Sequence, residues 1–242
     1  MSSSDDSRPA AQCGGLYETH VPTPSPWKER LLDGLPPFLR LVRPSFSFDG
    51  KSYRYFYHSY NRTARNERCV EVPIVLDWME RYRGRRILEV GHVLGHYGRV
   101  GHDVVDKYEA APGVIRADIA AFRPERPYDL IVSVSTLEHV GWDEEPKEPE
   151  KIHAALLHLR HVCLAAGGTL IATLPLGYNS FLDSALAAGR LPFVRVLYMR
   201  RLSKWAHWQE CGAADVGEAR YGAPYPGANE IAVGFLGEGV PR

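Results

Sequence analysis

The sequence Arg86-Ile-Leu-Glu-Val-Gly-His-Val-Leu-Gly-His-Tyr-Gly98 decides how the rest of the chain is interpreted. Its first part, Ile87–Val90, is a short apolar run that predicts a buried β-strand. The strand leads into a turn that contains Gly91, Gly95 and Gly98. Glycine lets the backbone turn sharply and approach a ligand closely. We therefore predict a small-molecule site at the carboxyl end of a parallel sheet, with Glu89 accepting hydrogen bonds from a polar ligand.

Downstream of this stretch, apolar runs of strand length alternate with helical patterns. The predicted strands are Ile87–Val90, Asp103–Asp106, Gly113–Arg116, Tyr128–Val134, Thr169–Leu174, Phe193–Met199 and Asn229–Phe235. Pro149–Leu164 has its apolar residues on one face and predicts an amphipathic helix that ends at Gly167-Gly168. This alternation predicts an α/β fold with a doubly wound, mostly parallel sheet.

The first 83 residues lie outside this alternation. Residues 1–26 are rich in Ser, Asp, Gly and Pro, which predicts a flexible arm. Residues 27–83 are predicted to form an N-terminal cap, and residues 84–242 the main domain. The predicted elements of the cap are a short helix, an aromatic β-hairpin and a longer helix, at Trp27–Leu41, Ser45–Tyr57 and Asn61–Tyr82.

The hairpin and the longer helix of the cap carry specific local signals. Asp49-Gly50 predicts the hairpin turn between two runs of alternating aromatic residues. In the longer helix, Thr63 is predicted as the N-cap and Pro73 as a kink or break. Polar residues crowd its first turns, and they form either a solvated face or the lining of a polar ligand pocket: Arg62, Arg65, Asn66, Glu67 and Arg68.

Composition narrows the class of protein. Lys and Arg number 29 and Asp and Glu number 29, so the formal net charge is zero and a general nucleic-acid binder is not expected. The four cysteines lack metal-ligand spacing, which favours a reduced, cytoplasmic setting. No apolar run reaches the length of a membrane span, so no membrane partner is expected. A homodimer is left open.

Four motifs then occur in a fixed order. They are Ile87-Leu-Glu-Val-Gly91, Val104-Val105-Asp106, Ala117-Asp118-Ile119 and Tyr128-Asp-Leu-Ile-Val-Ser-Val-Ser-Thr-Leu-Glu-His-Val140. In this order, from about Arg86 to Phe235, the chain resembles the class I S-adenosylmethionine-dependent methyltransferases of small-molecule type. In that family the first motif holds the methionine part of the cofactor, the second the ribose hydroxyls and the third the adenine amino group.

The resemblance implies a Rossmann-like fold, an enzyme and a cofactor. The implied sheet is mixed and seven-stranded, with its last strand antiparallel. The implied cofactor is S-adenosyl-L-methionine. The residues implied to bind it are Glu89, Gly91, His92, Gly95, Asp106, Lys107, Asp118, Ile119 and Ser135.

The sequence departs from the family pattern at two points. Val93 stands where the family's loop has its middle glycine, and the interval between Glu89 and Asp106 is short. The methionine end of the cofactor is therefore expected to be held in part by His92, Gly95 and the segment Asn61–Arg68. The ribose acid is either Asp106 or Glu109; Asp106 is favoured because it ends the apolar strand. A nicotinamide-dependent dehydrogenase is disfavoured, because the glycine-rich turn does not spell Gly-x-Gly-x-x-Gly.

The predicted chemistry lies at the ends of later strands. His139 is predicted to act as a general base beside Glu138, with hydrogen bonding to a neighbouring loop as the alternative. The acidic loop Trp142–Glu145 is interpreted as solvated rather than as a metal or cation site. No metal site is predicted, because the remaining histidines do not converge. The predicted substrate contacts are Tyr57, Arg62, Arg65, Tyr178 and Asn179, of which the last two could instead cap the next turn.

These features predict an O-methyltransferase whose partner is a small-molecule methyl acceptor, such as a sugar or a secondary metabolite of natural product biosynthesis. N-methylation of a small amine is the enzymatic alternative, favoured if the acidic loop enters the pocket. A non-catalytic cofactor-binding or scaffold protein of the same fold is the alternative from a different class.

Overall fold

The computed structural model of the chain describes residues 44–98, 100–205, 207–217 and 219–240. The strands are β1 (Ser45–Phe48), β2 (Lys51–Arg54), β3 (Ile87–Val90), β4 (Asp103–Asp106), β5 (Val114–Arg116), β6 (Tyr128–Val134), β7 (Leu164–Pro175), β8 (Arg195–Arg201), β9 (Trp208–Cys211) and β10 (Glu230–Leu236). The α-helices are α1 (Arg68–Arg81), α2 (Lys151–His158) and α3 (Ser180–Ala187). Shorter 3₁₀ turns lie at Tyr60–Arg65, Leu94–His96, Leu137–His139 and Ala213–Asp215.

One eight-stranded sheet, in the order β5-β4-β3-β6-β7-β10-β8-β9, forms the centre of the molecule. Strands β3 to β7 are mutually parallel, and β10 runs antiparallel between β7 and β8. The predicted Rossmann-like fold with an antiparallel last strand is therefore confirmed. The sheet has eight strands instead of seven, because Trp208–Cys211 pairs antiparallel with β8 and extends its edge.

The helix predicted over Pro149–Leu164 changes from α-helical to π-helical winding before its end. Helix α2 ends at His158 and continues as one π-helical turn to Cys163, and β7 begins at the next residue. Gly167-Gly168 therefore lies inside the strand and does not end the helix. The pairing of β7 with β6 shifts register in this region, and Gly167 has a φ of +73°. These glycines thus belong to an irregularity in the strand and not to the end of a helix.

The aromatic hairpin is confirmed, with Asp49 and Gly50 at φ values of +52° and +70° in its turn. The N-cap predicted at Thr63 is wrong. Helix α1 begins only at Arg68, and Thr63 lies in the preceding 3₁₀ turn. Its hydroxyl donates to the Phe56 carbonyl at 2.9 Å and accepts from the backbone N–H of His58 at 2.7 Å. The side chain thus fixes the incoming loop instead of capping the helix.

Pro73 lies within α1 without ending it. A proline lacks the N–H that would bond the carbonyl four residues earlier, here that of Cys69. That carbonyl accepts instead from the backbone N–H of Phe56 at 2.9 Å. The proline thus frees a carbonyl that ties the segment after the hairpin to α1.

Two apolar layers cover the two faces of the sheet. One layer packs α2 and α3 against the sheet, and the other packs α1 and the hairpin against the opposite face. Neighbouring strand residues go to different layers: Leu130 and Val132 face α1, and Ile131 faces the other layer. This explains the near-continuous apolar run of β6.

The hairpin belongs to the same apolar layer as α1, and the division into a cap and a main domain stays a prediction. Phe48 of the hairpin is buried in that layer together with Phe235 of β10. The predicted arm and the helix at Trp27–Leu41 lie outside the described residues. Among the described helices, none combines the length and apolar character needed to cross a bilayer.

Candidate functional site

A cavity of about 450 Å³ opens at the carboxyl ends of β3, β4, β5 and β6. Five of the predicted cofactor-binding residues line it: Gly91, Asp106, Lys107, Asp118 and Ile119. The other lining residues are Val90, Val105, Tyr108, Glu109, Ala117, Thr136, His139, Val140 and Glu144. The parallel sheet therefore brings the ends of three predicted motifs together, as open α/β folds do.

Gly91 is the position at which β3 leaves the sheet. Its φ is +88°, a region that favours glycine, and its N–H donates to the Val105 carbonyl at 2.8 Å. A Cβ at this position would lie 2.1 Å from the Thr136 hydroxyl oxygen. The close approach of the β3 and β6 exits thus requires glycine.

Glu89 is fully buried and does not line the cavity. One carboxylate oxygen accepts the backbone N–H groups of Val93 and Leu94 at 2.9 and 2.7 Å. The other lies 2.8 Å from His102 Nε2. Glu89 therefore fixes the turn after β3 from behind, and its direct contact with a ligand stays a prediction. Val93, which stands where the family's loop has a glycine, donates one of these backbone hydrogen bonds to Glu89.

Asp106 lines the cavity and organises the loop around it. Its Oδ1 accepts the backbone N–H groups of Tyr108 and Glu109, each at 2.8 Å, and its Oδ2 accepts that of His92 at 3.1 Å. Glu109 also lines the cavity, and one of its carboxylate oxygens accepts the backbone N–H of Ala110 at 3.1 Å. Both acids thus line the cavity, and the choice between them as ribose acid stays a prediction.

Two lysines and two acids form a closed ion-pair network at the other end of the cavity. Lys107 Nζ lies 3.0 Å from Asp118 and 2.7 Å from Glu144, and Lys151 Nζ lies 2.6 Å from both acids. Burial acts to raise the pKa of Asp118, but hydrogen bonds from Lys151 and Lys107 outweigh it and lower this pKa to about 2. The pKa of Glu144 is lowered against burial by the same two lysines.

His139 lines the cavity and is oriented by the loop that follows it. Its Nδ1 lies 2.5 Å from Asp143 Oδ2, and the Tyr178 hydroxyl donates to the same oxygen at 2.6 Å. Burial acts to raise the pKa of Asp143, but the hydrogen bonds from Tyr178 and His139 lower it. An ionised Asp143 thus holds the imidazole in one orientation, with Nε2 free of this contact.

Glu138 lies beneath the site and not in the cavity lining. Its side chain is 2% exposed, and burial raises its pKa well above the usual range. Oε1 lies 3.5 Å from His139 Nε2, and Oε2 has no hydrogen-bond partner among the described residues. Burial thus favours the neutral form of this carboxyl, and its place outside the cavity lining leaves its predicted catalytic role a prediction.

Ser135 faces away from the cavity, towards a buried polar cluster under α1. Its φ is +38°, and its hydroxyl donates to Glu71 Oε1 at 2.6 Å. The other oxygen of Glu71 accepts from the Arg68 guanidinium at 2.5 Å, and Glu67 accepts the backbone N–H of Ala228 at 2.9 Å. Arg68 and Glu67 therefore belong to a buried network, and the solvated-face interpretation does not apply to them.

The remaining predicted contacts lie outside the cavity lining. Arg62 and Arg65 are exposed, and the Arg65 guanidinium lies 5.3 Å from the ring centroid of Trp205. Tyr57 stacks on another tyrosine of the hairpin segment. Asn179 is fully buried, caps α3 through the N–H of Leu182 at 3.0 Å and donates to the Glu138 carbonyl. Its capping role, weighed as the alternative, is thus the observed one.

His92 and Gly95 also lie outside the cavity lining, on the turn after β3. His96 follows them, and its ring centroid lies 5.0 Å from that of His92. One ligand atom each of His92, His96 and Glu109 lie within 4.8 Å of one another, so these side chains could hold a metal ion. His96, one of the histidines predicted not to converge, thus lies close to two other possible ligands, and the expectation of no metal site stays a prediction.

Several residues of the site were not predicted from the sequence. Lys151 and Glu144 meet across the cavity wall although seven positions separate them, and Thr136 and Val140 line it beside His139. The position of Thr136 and Val140 around the Leu-Glu-His-Val motif was a usable signal. For Lys151, which lies on a helix, the sequence offers none.

No protein-family model and no curated protein matches this sequence. Among solved structures, it is similar to a TehB-like SAM-dependent methyltransferase from Corynebacterium glutamicum, with 20% identity over 68% of this chain and 85% of that one, and a TM-score of 0.38. TehB from Haemophilus influenzae shares 13% identity over 73% and 63% of the two chains, with a TM-score of 0.40. The glycopeptide N-methyltransferase MtfA, complexed with sinefungin, has 13% identity to this sequence over 69% of this chain and 94% of that one, with a TM-score of 0.34. The likeness is one of fold. The strand order had already established that fold.

Proposed function

We propose that the chain binds S-adenosylmethionine and transfers its methyl group to a small-molecule acceptor. The observation that carries this proposal is the cavity at the carboxyl ends of the parallel strands, where Gly91, Asp106 and Asp118 meet His139. All four motifs that resemble the methyltransferase family contribute their last residues to this one space, and His139 comes from the fourth.

The residues present fit the cofactor. Asp106 and Glu109 offer carboxylate oxygens for a ribose diol, and Asp118 an acceptor for an adenine amino group. Val105 and Ile119 supply an apolar surface for a planar base. The absence of a side chain at Gly91 keeps the backbone close to the ligand beside Thr136. These donors, acceptors and apolar groups match the chemistry of a nucleoside.

When bound, the cofactor supplies an electrophilic methyl group on a sulfonium. The chain itself must orient the acceptor and remove its proton. His139 is the side chain placed for proton removal, because it lines the cavity and Asp143 holds its Nδ1. Its Nε2 is then available to accept a proton from an acceptor hydroxyl. The Asp143 carboxylate stabilises the imidazolium that forms.

We propose oxygen, rather than nitrogen, as the atom that is methylated. Glu144 of the acidic loop enters the cavity wall, which by itself favours an amine. Its charge is, however, matched by Lys107 and Lys151, and Asp143 is held by His139 and Tyr178. Asp143 and Glu144 are thus both paired, and the exposed Glu145 does not line the cavity, whereas the His139–Asp143 pair suits a neutral hydroxyl. N-methylation of a small amine stays the alternative.

Other parts of the expectation are proposals as well. The zero net charge supports a small acceptor, such as a sugar or a secondary metabolite of natural product biosynthesis, over a nucleic acid. Within the part of the chain that the structure describes, Cys163 and Cys211 form no disulfide, which supports a reduced, cytoplasmic setting. No observation bears on a homodimer, which stays open.

The test is calorimetry with S-adenosylmethionine and S-adenosylhomocysteine on the full chain. We expect both to bind, and we expect Gly91→Ala to abolish binding because its Cβ would collide with Thr136. Gly98→Ala is the matched control, since its Cβ would meet no atom within 4 Å. Circular dichroism checks that both variants fold. If neither compound binds the parent at millimolar concentration, the proposal fails.

Transfer itself is tested by mass spectrometry with a panel of hydroxylated and amine acceptors. Methylation of hydroxyl compounds is the expected result. Methylation confined to amines would replace oxygen by nitrogen in the proposal. Binding of the cofactor without turnover of any acceptor would favour the non-catalytic alternative.

A further inference from the structure

We propose that His92, His96 and Glu109 form a binding site for a divalent transition-metal ion at the edge of the cofactor cavity. One ligand atom from each side chain lies within 4.8 Å of the other two, a spacing that a single ion can bridge. The two histidines come from the turn after β3 and the glutamate from the loop after β4, so two separate segments supply the ligands.

The backbone of the turn makes the histidine pair possible. Leu94–His96 forms a 3₁₀ turn, and Gly95 stands between the two imidazoles. A Cβ at Gly95 would lie 2.0 Å from His92 Nε2. Only glycine therefore leaves room for the His92 ring to lie over the turn, with its centroid 5.0 Å from that of His96.

Asp106 holds the two ligand-bearing segments in register. One of its oxygens accepts the backbone N–H of His92 at 3.1 Å, and the other accepts that of Glu109 at 2.8 Å. The Asp106 carboxylate thus accepts a hydrogen bond from the backbone of one metal-binding residue in each segment. Hydrogen bonds to groups outside the metal's own ligands help to hold metal-binding residues in position. Asp106 therefore fixes the backbone of two of the three ligands, His92 and Glu109, through one shared contact.

The donor set decides which class of ion fits. Two imidazole nitrogens and one carboxylate oxygen suit Zn²⁺, Co²⁺, Ni²⁺ or Fe²⁺, whereas Mg²⁺ and Ca²⁺ prefer oxygen ligands alone. Three protein ligands leave at least one position for water or a substrate atom, as in catalytic rather than structural zinc sites. His92 Nδ1 is buried without a hydrogen-bond partner among the described residues, so the ring has unused capacity.

The position of Glu109 links this site to the cavity. Glu109 is one of the residues that line the cavity, while His96 is exposed at the surface. An ion held by both would lie between solvent and the ligand-binding space. It would be able to bind an acceptor oxygen or a carboxylate next to the site of methyl transfer. Metal binding itself does not depend on the proposed methyl transfer, and it is measured separately.

The test is titration of the metal-free full chain with Co²⁺, followed by absorption spectroscopy, and with Zn²⁺, followed by calorimetry. We expect the parent to show the visible absorption bands of Co²⁺ held by imidazole. The variants His96→Ala and Glu109→Gln should each weaken binding by about tenfold or more, because loss of even an outer partner of a ligand costs about 10- to 100-fold. His153→Ala, which removes an exposed histidine of α2, is the matched control and should bind as the parent does.

Two results would overturn the site. The first is parent protein without Co²⁺ bands at millimolar metal, and the second is equal affinity in the parent, His96→Ala and Glu109→Gln. Glu109 is also an alternative ribose acid, so cofactor affinity is measured for Glu109→Gln in the absence of metal. A loss there with unchanged Co²⁺ affinity would assign Glu109 to the nucleoside and remove it from the metal site. A failure of cofactor binding in the parent overturns the proposed function and leaves the metal titration intact.

Discussion

His139 and Asp143 form the pair on which the proposed proton transfer depends. The imidazole lines the cavity, and the carboxylate lies 2.5 Å from its Nδ1 with a lowered pKa. Glu138, its neighbour in sequence, lies in the buried region below with a raised pKa. Two adjacent residues thus have opposite environments, and only the exposed one is placed to exchange protons with an acceptor.

We predict that His139→Ala lowers kcat for a hydroxyl acceptor by about 10²- to 10⁴-fold, the usual contribution of a general base. The Kd for S-adenosylmethionine should change little, since other residues supply the nucleoside contacts. Kinetics with a purified acceptor and calorimetry measure the two quantities. Tyr178→Phe, which removes only the second hydrogen bond to Asp143, is the control and should reduce kcat less. A larger loss in Tyr178→Phe would shift the catalytic role to the tyrosine.

Arg68 forms an ion pair with the buried Glu71 in the first turn of α1. Its guanidinium lies 2.5 Å from Glu71, whose side chain is fully buried. We predict that Arg68→Met lowers the free energy of unfolding by about 3–5 kcal/mol, because it leaves a buried carboxylate without its partner. Denaturation in guanidinium chloride measures this change.

Arg81→Met is the matched control on the same helix. Arg81 pairs with Asp77, but its side chain is 44% exposed. Exposed pairs of this kind contribute about 0–1 kcal/mol. Similar losses in the two variants would show that the Arg68 pair is not the buried contact inferred here.

The loop between β6 and α2 is connected to the rest of the cavity wall by charge. Glu144 of this loop meets Asp118 from the loop after β5 through the shared amines of Lys107 and Lys151. Four side chains from four segments thus close one end of the cavity. Protonation of either acid would therefore weaken the ion pairs that connect the loop to the cavity wall.

We predict an acid-dependent loss of stability from this network. The pKa of Asp118 is lowered to about 2 in the folded chain, against about 3.9 for an unfolded aspartate. Its stabilising contribution is therefore complete above about pH 4 and is lost as the pH falls from about 4 to 2. Asp118→Asn should be less stable than the parent at pH 7, and the difference should vanish near pH 2. A difference that is constant with pH, measured by urea denaturation, would contradict this.

The whole molecule is built as one sheet with an apolar layer on each face. The hairpin contributes to the layer that also contains α1 and β10, and the backbone N–H of Phe56 bonds to the carbonyl freed by Pro73. These contacts join the N-terminal elements to the sheet. They favour a single cooperative unit over an independent cap.

We predict that Phe48→Ala lowers the free energy of unfolding by about 3–5 kcal/mol, as expected for a phenylalanine lost from a core. Phe48 is 1% exposed. Val194→Ala, at a side chain that is 56% exposed, is the control and should change stability by about 0.5 kcal/mol or less. Circular dichroism and tryptophan fluorescence should give one coincident transition for the parent. Two separate transitions would instead support an independently folding cap.

The sequence alone predicted seven of the eight strands of the sheet. Tyr128–Val134 was predicted with its observed bounds, because a strand covered on both faces must be apolar throughout. The resemblance to the methyltransferase family implied that Asp106 and Asp118 bind the cofactor, and both line the cavity because the carboxyl ends of parallel strands meet at one edge of the sheet. Boundaries were less secure: Gly167-Gly168 serves a strand irregularity, since a glycine pair has the same local signal at a helix end.

Only the tertiary structure decided which side chains meet. Glu89 accepts a hydrogen bond from the backbone of the loop that follows it, and Lys151 donates a hydrogen bond to Asp118. His92, His96 and Glu109 come together from two segments. Hydrophobic periodicity reports whether a position is buried, but not which distant residue it contacts. Partners of charged and metal-ligating groups depend on how separate loops pack at the sheet edge. That packing is set by long-range contacts, and therefore only the folded chain reveals them.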